Sequence, residues 1–120
     1  MAKIMIVDDS PTEIHILRGV LEGEGYQVVV ANNGEEGVAM SKTEMPDLIL
    51  MDVVMPGLNG FQATRKIHRD ATTKDIPVII VTTKDQDTDR EWGMRQGAKD
   101  YLVKPVDKKE LSAKVKQYLG

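Results

Sequence analysis

The stretch DLILMDVVMPGLNG, residues 47–60, decides the fold of this chain. Its first part, residues 47–52, places four consecutive apolar residues between two aspartates, which predicts a strand that is buried on both faces. The Met-Pro-Gly segment at 55–57 then predicts a loop, and Asn59 can cap a helix that we expect to run to about residue 70. A fully apolar strand that leads into a helix is typical of a parallel sheet covered by helices.

The same strand–helix unit occurs on both sides of this stretch. Two predicted strands precede it, at 3–7 and 27–31, and two follow it, at 76–82 and 101–103. Capping residues and apolar residues spaced three or four apart predict the helices, which we place at 11–23, 34–43, 59–70, from the Thr88 region onward and at 107–119. Five strands that alternate with five helices indicate a doubly wound α/β fold, and right-handed crossovers leave only a few strand orders.

The fourth predicted helix has the weakest pattern of the five. A capping box at Thr88 and Glu91 marks its start, and Trp92 and Met94 are the main members of its apolar face. Gly93 is expected to lower its stability by roughly 1 kcal/mol relative to alanine. Trp92, the only tryptophan, either packs against the sheet or lies on a surface that reports a conformational change, and the sequence leaves both open.

Length and composition restrict the class of protein. The 120 residues fit one domain, residues 1–120, and 41% hydrophobic with 29% charged residues is the balance of a globular protein. The absence of cysteine excludes disulfides and thiolate chemistry. A net charge of −3 argues against nucleic-acid binding. Short apolar runs predict no membrane insertion, so we expect a cytoplasmic protein, and nothing requires more than a monomer.

Polar side chains follow four of the predicted strands. Asp8 and Asp9 come after the first strand, Asp52 ends the third, Thr82 ends the fourth and Lys104 follows the fifth. In an open α/β sheet, ligands bind beyond the carboxyl ends of the strands. We therefore expect three carboxylates, one hydroxyl and one ammonium group to meet at one edge of the sheet.

This set of groups has a chemical logic. Three neighbouring carboxylates repel one another, and a divalent cation such as Mg²⁺, which prefers oxygen ligands, would relieve the repulsion. The metal ion and a lysine could together neutralise a phosphoryl group that arrives at a carboxylate nucleophile, with an acyl phosphate as the product. The two histidines, His15 and His68, fall on helices away from this edge, and we expect them to be exposed.

The chain resembles a known family at this point. The segments IVDDS (6–10), LMDVVMPGLNG (50–60), PVIIVTT (77–83) and QGAKDYLVKP (96–105) are similar to the motifs of CheY-like response-regulator receivers. The resemblance extends over nearly the whole chain. It implies a flavodoxin-like five-stranded parallel sheet of order 2-1-3-4-5 with five helices.

The resemblance also implies a role for each residue at the acidic edge. Asp52 would be the phosphoacceptor, and Asp9 and Asp52 would be direct Mg²⁺ ligands together with the backbone carbonyl of Val54. Asp8 would act on the metal ion through water. Lys104 would pair with the phosphoryl oxygens.

The switch residues rest on the same resemblance. Thr82 would move to hydrogen-bond the phosphoryl group, and Tyr101 would rotate inward to fill the space that Thr82 leaves. Tyr101 could equally be a fixed core aromatic residue with its hydroxyl at the surface. Pro105 would follow a cis peptide bond. The apolar Val54 offers no hydrogen bond to an attacking water, so we expect slow loss of the phosphoryl group.

The predicted function is a non-enzymatic switch that a histidine kinase phosphorylates. With no residues left for an output domain, the switch would act through a protein contact or drain phosphoryl groups from a sister regulator. The segments SPTE (10–13), VMPGLNGFQATR (54–65), TTKDQDTDREWG (82–93) and KPVD (104–107) resemble receivers that control twitching motility by type IV pili, a chemotaxis-like pathway. The kinase and the target are not predicted.

Two other functions share part of this pattern. An aspartyl-phosphate-forming phosphatase also uses an aspartate nucleophile and Mg²⁺, but such enzymes carry a second acid/base aspartate where this chain has Val54. A flavodoxin-like flavin carrier would need a phosphate-binding loop after the first strand. Asp8 and Asp9 stand there instead, and their charge would repel a phosphate.

Overall fold

Five parallel β-strands alternate with five α-helices in a computed structural model that describes all 120 residues. The elements in chain order are β1 (Lys3–Val7), α1 (Pro11–Gly23), β2 (Gln27–Ala31), α2 (Gly34–Glu44), β3 (Leu48–Met51), α3 (Gly60–Arg69), β4 (Val78–Thr82), α4 (Asp87–Arg95), β5 (Asp100–Val103) and α5 (Lys108–Leu119). The strand order is β2-β1-β3-β4-β5, and every pair is parallel. The doubly wound α/β fold and the order 2-1-3-4-5 are therefore confirmed.

The ends of several elements differ from the predictions by one or two residues. Asp52 lies just beyond β3 rather than inside it, β4 begins at Val78 and β5 begins at Asp100. The backbone N–H of Asp52 still donates to the Val7 carbonyl at 2.9 Å, so the sheet holds this residue although the strand has ended. The third strand therefore presents the Asp52 side chain directly at the sheet edge.

The two faces of the sheet pack against different helices. One cluster of twelve buried residues joins β1, β3 and β4 to α1 and α5, with Leu17 and Leu111 among its helical members. A second cluster of nine residues, with Ala63 and Ile67 from α3, covers the opposite face. Because successive strand residues face opposite layers, a strand buried on both sides must be apolar throughout. This explains the uninterrupted apolar run at residues 48–51.

Helix α4 corrects two predictions. It begins at Asp87, where the backbone N–H of Gln86 donates to the Asp89 carboxylate at 3.4 Å, so the Thr88–Glu91 capping box is wrong. The predicted apolar face is also wrong, because Trp92 and Met94 are 48% and 42% exposed. The buried residue of α4 is Gly93 instead.

Gly93 is the buried residue of α4, and its missing side chain is what lets the helix approach the sheet. A Cβ atom at this position would lie 2.7 Å from Cδ1 of Ile80 and 3.2 Å from Cε1 of Phe61. Both distances are shorter than ordinary van der Waals contact. The expectation that alanine would stabilise this helix considers propensity alone, and the packing at Gly93 opposes it.

The two histidines lie on helix surfaces. His15 and His68 are both exposed, as predicted. No helix of the structure has both the length and the apolar character needed to cross a bilayer.

Candidate functional site

Four strands deliver the site to one edge of the sheet. Asp8 follows β1, Asp52 follows β3, Thr82 ends β4 and Lys104 follows β5. Asp8, Asp52 and Thr82 are buried, although charged and polar groups avoid the interior unless they have partners. The parallel arrangement places all four at the carboxyl ends of their strands, as the sequence predicted.

Three carboxylates form a cluster at this edge. Asp8, Asp9 and Asp52 each offer a carboxylate oxygen, and the three oxygens lie within 4.8 Å of one another. The backbone orients two of them, because Ser10 N–H donates to Asp8 Oδ1 at 2.9 Å and Val53 N–H donates to Asp52 Oδ1 at 2.8 Å. Asp9 is exposed and completes the cluster from the solvent side. An all-oxygen set of this kind fits a hard cation such as Mg²⁺.

Lys104 is the cation of the site. Its Nζ lies 2.8 Å from Asp8 Oδ2, 3.6 Å from Asp52 Oδ2 and 3.9 Å from Glu13 Oε2. The backbone N–H of Lys104 donates to the Thr82 carbonyl at 2.8 Å, and the Lys104–Pro105 peptide bond is cis, as predicted. The side chain thus connects two buried carboxylates from different strands.

Glu13 was missed by the sequence analysis. It lies in the first turn of α1, and its carboxylate oxygen Oε2 lies 3.9 Å from Lys104 Nζ at the site. The sequence did contain a signal for Glu13, because the helix after β1 begins at the same edge of the sheet at which the strands end. An acidic residue in that first turn can therefore face the site.

The pKa values of Asp52 and Lys104 are both raised, for different reasons. Burial raises the pKa of the Asp52 carboxyl above its ordinary value; Lys104 opposes this shift and the neighbouring Asp8 adds to it. Burial lowers the pKa of Lys104, but the hydrogen bond to Asp8 and the charge of Asp52 outweigh it, so that this pKa is raised. Lys104 therefore stays positively charged. Ionisation of the Asp52 carboxyl is costly, and additional positive charge nearby would favour its ionised form.

Thr82 and Tyr101 are connected through one residue, Lys84. The Thr82 hydroxyl accepts from Lys84 N–H at 3.4 Å, and the Tyr101 hydroxyl donates to the Lys84 carbonyl at 2.8 Å. The nearby Thr82 hydroxyl also acts to lower the pKa of Asp52. Tyr101 points inward and is only 2% exposed. Both predicted switch residues therefore contact the segment that joins β4 to α4.

Arg90 holds Tyr101 from the side of α4. Its Cζ lies 5.1 Å from the centre of the Tyr101 ring, and its Nη1 donates to the Tyr101 carbonyl at 3.1 Å. Burial, with a contribution from Asp89, raises the pKa of Tyr101 to about 12, so the phenol stays a donor. Arg90 was not predicted from the sequence, because no local pattern distinguishes it from other arginines on exposed helix faces.

The loop after β3 places Val54 beside the site. Gly60 lets the chain fold back, since a Cβ atom there would lie 1.9 Å from the carbonyl oxygen of Asp52. Gly60 N–H donates to the Val53 carbonyl at 3.0 Å. The Val54 side chain is 59% exposed, so its apolar surface faces solvent next to the carboxylates.

A family model described as the response regulator receiver domain matches residues 4–116. This chain belongs to the response-regulator receiver family. The receiver is 64% identical to Protein PilH of Pseudomonas aeruginosa, over 92% of each chain. It is 42% identical to the response regulator PleD of Caulobacter vibrioides, of which it spans only 25%.

Solved receivers share the whole architecture. The chemotaxis protein CheY4 of Vibrio cholerae superposes with a TM-score of 0.92 at 30% identity, covering 98% of both chains. The receiver domain of the sensor histidine kinase PA1611 from Pseudomonas aeruginosa superposes equally well at 31% identity, covering 99% of this chain and 98% of that one. That domain carries a magnesium ion in its active-site cleft. The expected CheY-like family and the narrower resemblance to PilH are therefore confirmed.

Proposed function

We propose that this receiver is a stand-alone switch, phosphorylated on Asp52 by a histidine kinase in the presence of Mg²⁺. The observation that carries the proposal is the meeting of three carboxylate oxygens within 4.8 Å of one another with Lys104 Nζ 3.6 Å from Asp52. Asp9, Asp52 and the Val54 carbonyl would hold the metal ion, and Asp8 would act on it through water. The raised pKa of Asp52 fits this role, because added positive charge favours its ionised form.

The chemical step is a phosphoryl transfer. A carboxylate oxygen of Asp52 attacks phosphorus, a P–O bond forms, and the bond from phosphorus to the donor breaks with its electron pair leaving on the donor. Mg²⁺ would supply charge neutralisation at the phosphoryl oxygens. Lys104 lies within reach of Asp52 and supplies a second positive charge. The Thr82 hydroxyl would donate a hydrogen bond to the phosphoryl group.

The output is a protein contact near α4 and β5. Lys84 joins Thr82 to Tyr101, so a movement of Thr82 toward a phosphoryl group would disturb the segment that leads into α4. The exposed Trp92 and Met94 lie on that helix and offer apolar surface to a partner. Draining phosphoryl groups from a sister regulator is the other output that this chemistry permits.

The pathway we propose is the control of type IV pili and twitching motility in the cytoplasm. Its support is the 64% identity to PilH over 92% of the chain. A phosphatase activity is not favoured, because Val54 cannot act as an acid or base. The receiver family also favours a switch over a flavin carrier.

Intact-mass spectrometry tests the chemistry. The protein is incubated with acetyl phosphate, with Mg²⁺ or with a chelator, beside an Asp52→Asn variant and an Asp85→Asn control. Asp85 is an exposed aspartate of the β4–α4 segment with no hydrogen bond of its own. We expect one phosphoryl group on the wild type and the control, only with Mg²⁺, and none on Asp52→Asn. Modification of Asp52→Asn, or modification without Mg²⁺, would contradict the proposal.

A phosphotransfer assay tests the partner. Radiolabelled histidine kinases from the same organism are mixed with the receiver and sampled over seconds to minutes. Rapid transfer from a kinase encoded with pilus components supports the pathway. Preferential transfer from an unrelated kinase assigns the receiver to that other system instead.

A further inference from the structure

The side chain of Glu35 reaches out of α2 to the loop that follows β3. Glu35 lies in the first turn of α2, and its Oε1 accepts a hydrogen bond from the backbone N–H of Leu58 at 2.8 Å. The two residues are 23 positions apart. No other secondary-structure element provides a side-chain hydrogen bond to the backbone of residues 53–58.

Glycines bring α2 and this loop into close contact. A Cβ atom at Gly57, whose φ is +74°, would lie 2.9 Å from Glu35 Oε2. A Cβ atom at Gly34 would lie 2.3 Å from the carbonyl oxygen of Leu58. The loop therefore lies directly on the N-terminal turn of α2, and the Glu35 carboxylate occupies the space beside Gly57.

We propose that Glu35 is a positioning residue for the metal site, acting through the loop. The loop runs from Asp52 to Gly60, and it is held at its far end where Gly60 N–H donates to the Val53 carbonyl. Between these ends it carries Val54, whose carbonyl is the backbone ligand of the proposed function on which this inference rests. The Glu35–Leu58 hydrogen bond restricts the loop at Leu58. Less conformational entropy is then lost when Val54 becomes ordered on Mg²⁺ binding.

The neighbouring Glu36 separates this role from a general effect of charge. Both glutamates lie in the first turn of α2, where negative charge is favourable. The backbone N–H of Glu36 donates to the Asn33 side chain at 2.8 Å, within the cap of the same helix. Its side chain makes no hydrogen bond to the loop, so Glu36→Ala removes the same charge and leaves the Leu58 contact intact.

The experiment compares Glu35→Ala, Glu35→Gln and the Glu36→Ala control with the wild type. NMR gives hydrogen exchange of the Leu58 amide and, by titration, the Mg²⁺ dissociation constant. In Glu35→Ala we expect exchange at Leu58 to be faster, and the dissociation constant higher, each by roughly two- to tenfold, the range of one lost hydrogen bond. Glu35→Gln keeps the acceptor oxygen and should restore both values, and Glu36→Ala should change neither.

The outcomes separate the two proposals. If the wild type binds Mg²⁺ and Glu35→Ala binds it equally well despite faster exchange at Leu58, the positioning role is refuted and the proposed function stands. Equal losses in Glu35→Ala and Glu36→Ala also refute it, because charge alone would then explain them. If the wild type neither binds Mg²⁺ nor accepts a phosphoryl group, the proposed function fails and this inference fails with it.

Discussion

At the scale of single residues, Lys104 combines the most contacts of the site in one side chain. Its ammonium group is within 4.0 Å of three carboxylates from three different segments, those of Asp8, Glu13 and Asp52. Asp8 is 1% exposed, so without Lys104 it would be a buried charge with no cation beside it. Breaking a buried ion pair by removing one member typically costs about 3–5 kcal/mol. The lysine therefore stabilises the folded site, in addition to its proposed role in phosphoryl transfer.

Val54 is expected to set the lifetime of the phosphorylated form. Its exposed side chain offers no hydrogen bond to an attacking water, whereas asparagine could orient one. In a Val54→Asn variant we expect loss of the phosphoryl group to be faster by roughly three- to tenfold, the effect of one hydrogen bond in the transition state. Intact-mass spectrometry after removal of the donor gives the rate, with Met94→Gln as a control at another exposed apolar position. An unchanged rate in Val54→Asn would contradict the expectation.

Asp70, the residue after α3, carries a pH dependence of its own. Hydrogen bonds from Thr72, with a further contribution from Lys42, lower its pKa from 3.8 to about 2. The ionised carboxylate is therefore favoured in the folded state, and its contribution to stability is present above about pH 4 and lost as the pH falls toward 2. Thr72 donates both its N–H and its hydroxyl to Asp70 Oδ1.

A Thr72→Val variant should raise the pKa of Asp70 toward 3.8 and reduce the acid-induced loss of stability between pH 4 and 2. NMR titration of the carboxyl carbon measures the first effect, and urea unfolding at several pH values measures the second. Thr43→Val is the control, since the Thr43 hydroxyl donates only to the Met40 carbonyl. A pKa that stayed near 2 in Thr72→Val would show that the hydroxyl is not needed, and that the backbone N–H of residue 72 and Lys42 are sufficient.

At the scale of secondary-structure elements, α4 is attached to the protein differently from its neighbour α3. Gly93 is its buried contact, and Trp92 and Met94 face solvent. Helix α3 instead buries Phe61, Ala63 and Ile67. Since helical stability comes mostly from tertiary packing of an apolar face, we expect α4 to change position at a lower cost than α3.

The packing of Gly93 can be tested against a glycine that has room. A Cβ atom at Gly93 would approach Ile80, Phe61 and Tyr101, whereas a Cβ atom at Gly19 in α1 would meet nothing within 4 Å. We expect Gly19→Ala to stabilise the protein by about 0.5–1 kcal/mol through helix propensity. Gly93→Ala should destabilise it, because overpacking costs about 1–3 kcal/mol and exceeds that gain. Urea unfolding of both variants decides the signs, and stabilisation by Gly93→Ala would contradict the close packing.

At the scale of the whole molecule, one chain of contacts joins the acidic edge to α4. Asp52 interacts with Thr82, the Thr82 hydroxyl accepts from Lys84, and Lys84 accepts from the Tyr101 hydroxyl. Arg90 completes the chain by binding the backbone and ring face of Tyr101. These contacts connect β4, β5 and α4, so a change at Asp52 can alter how α4 is held.

Arg90→Met should loosen α4 without affecting the chemistry at Asp52. Methionine keeps an apolar stem over the Tyr101 ring but loses the cation and the donor to its carbonyl. We expect the amides of residues 87–95 to exchange several-fold faster, as for one lost charged hydrogen bond, with phosphorylation by acetyl phosphate unchanged. The control is Arg95→Met, because Arg95 pairs only with Glu91 on the same helix surface. If the amides of residues 87–95 exchange equally fast in the two variants, Arg90 does not hold α4 in place.

Local sequence patterns predicted the elements, their alternation and the residues at the acidic edge. Strands and helix starts are local properties, because an apolar run or a capping residue acts on its own neighbourhood. Parallel strands then bring Asp8, Asp52, Thr82 and Lys104 together wherever the strands end. The site was therefore predictable from positions along the chain, although the role of each residue came from the family resemblance.

Only the tertiary structure decided which face of α4 is buried and which distant residues support the site. Trp92 resembles a core residue by its side chain, but the close packing at Gly93 places it on the outside. Glu13, Glu35 and Arg90 are ordinary charged helix residues in the sequence. Their contacts with Lys104, Leu58 and Tyr101 join elements far apart in the chain. Such contacts depend on how helices lie on the sheet, which no local pattern encodes, because packing against the whole core sets helix orientation.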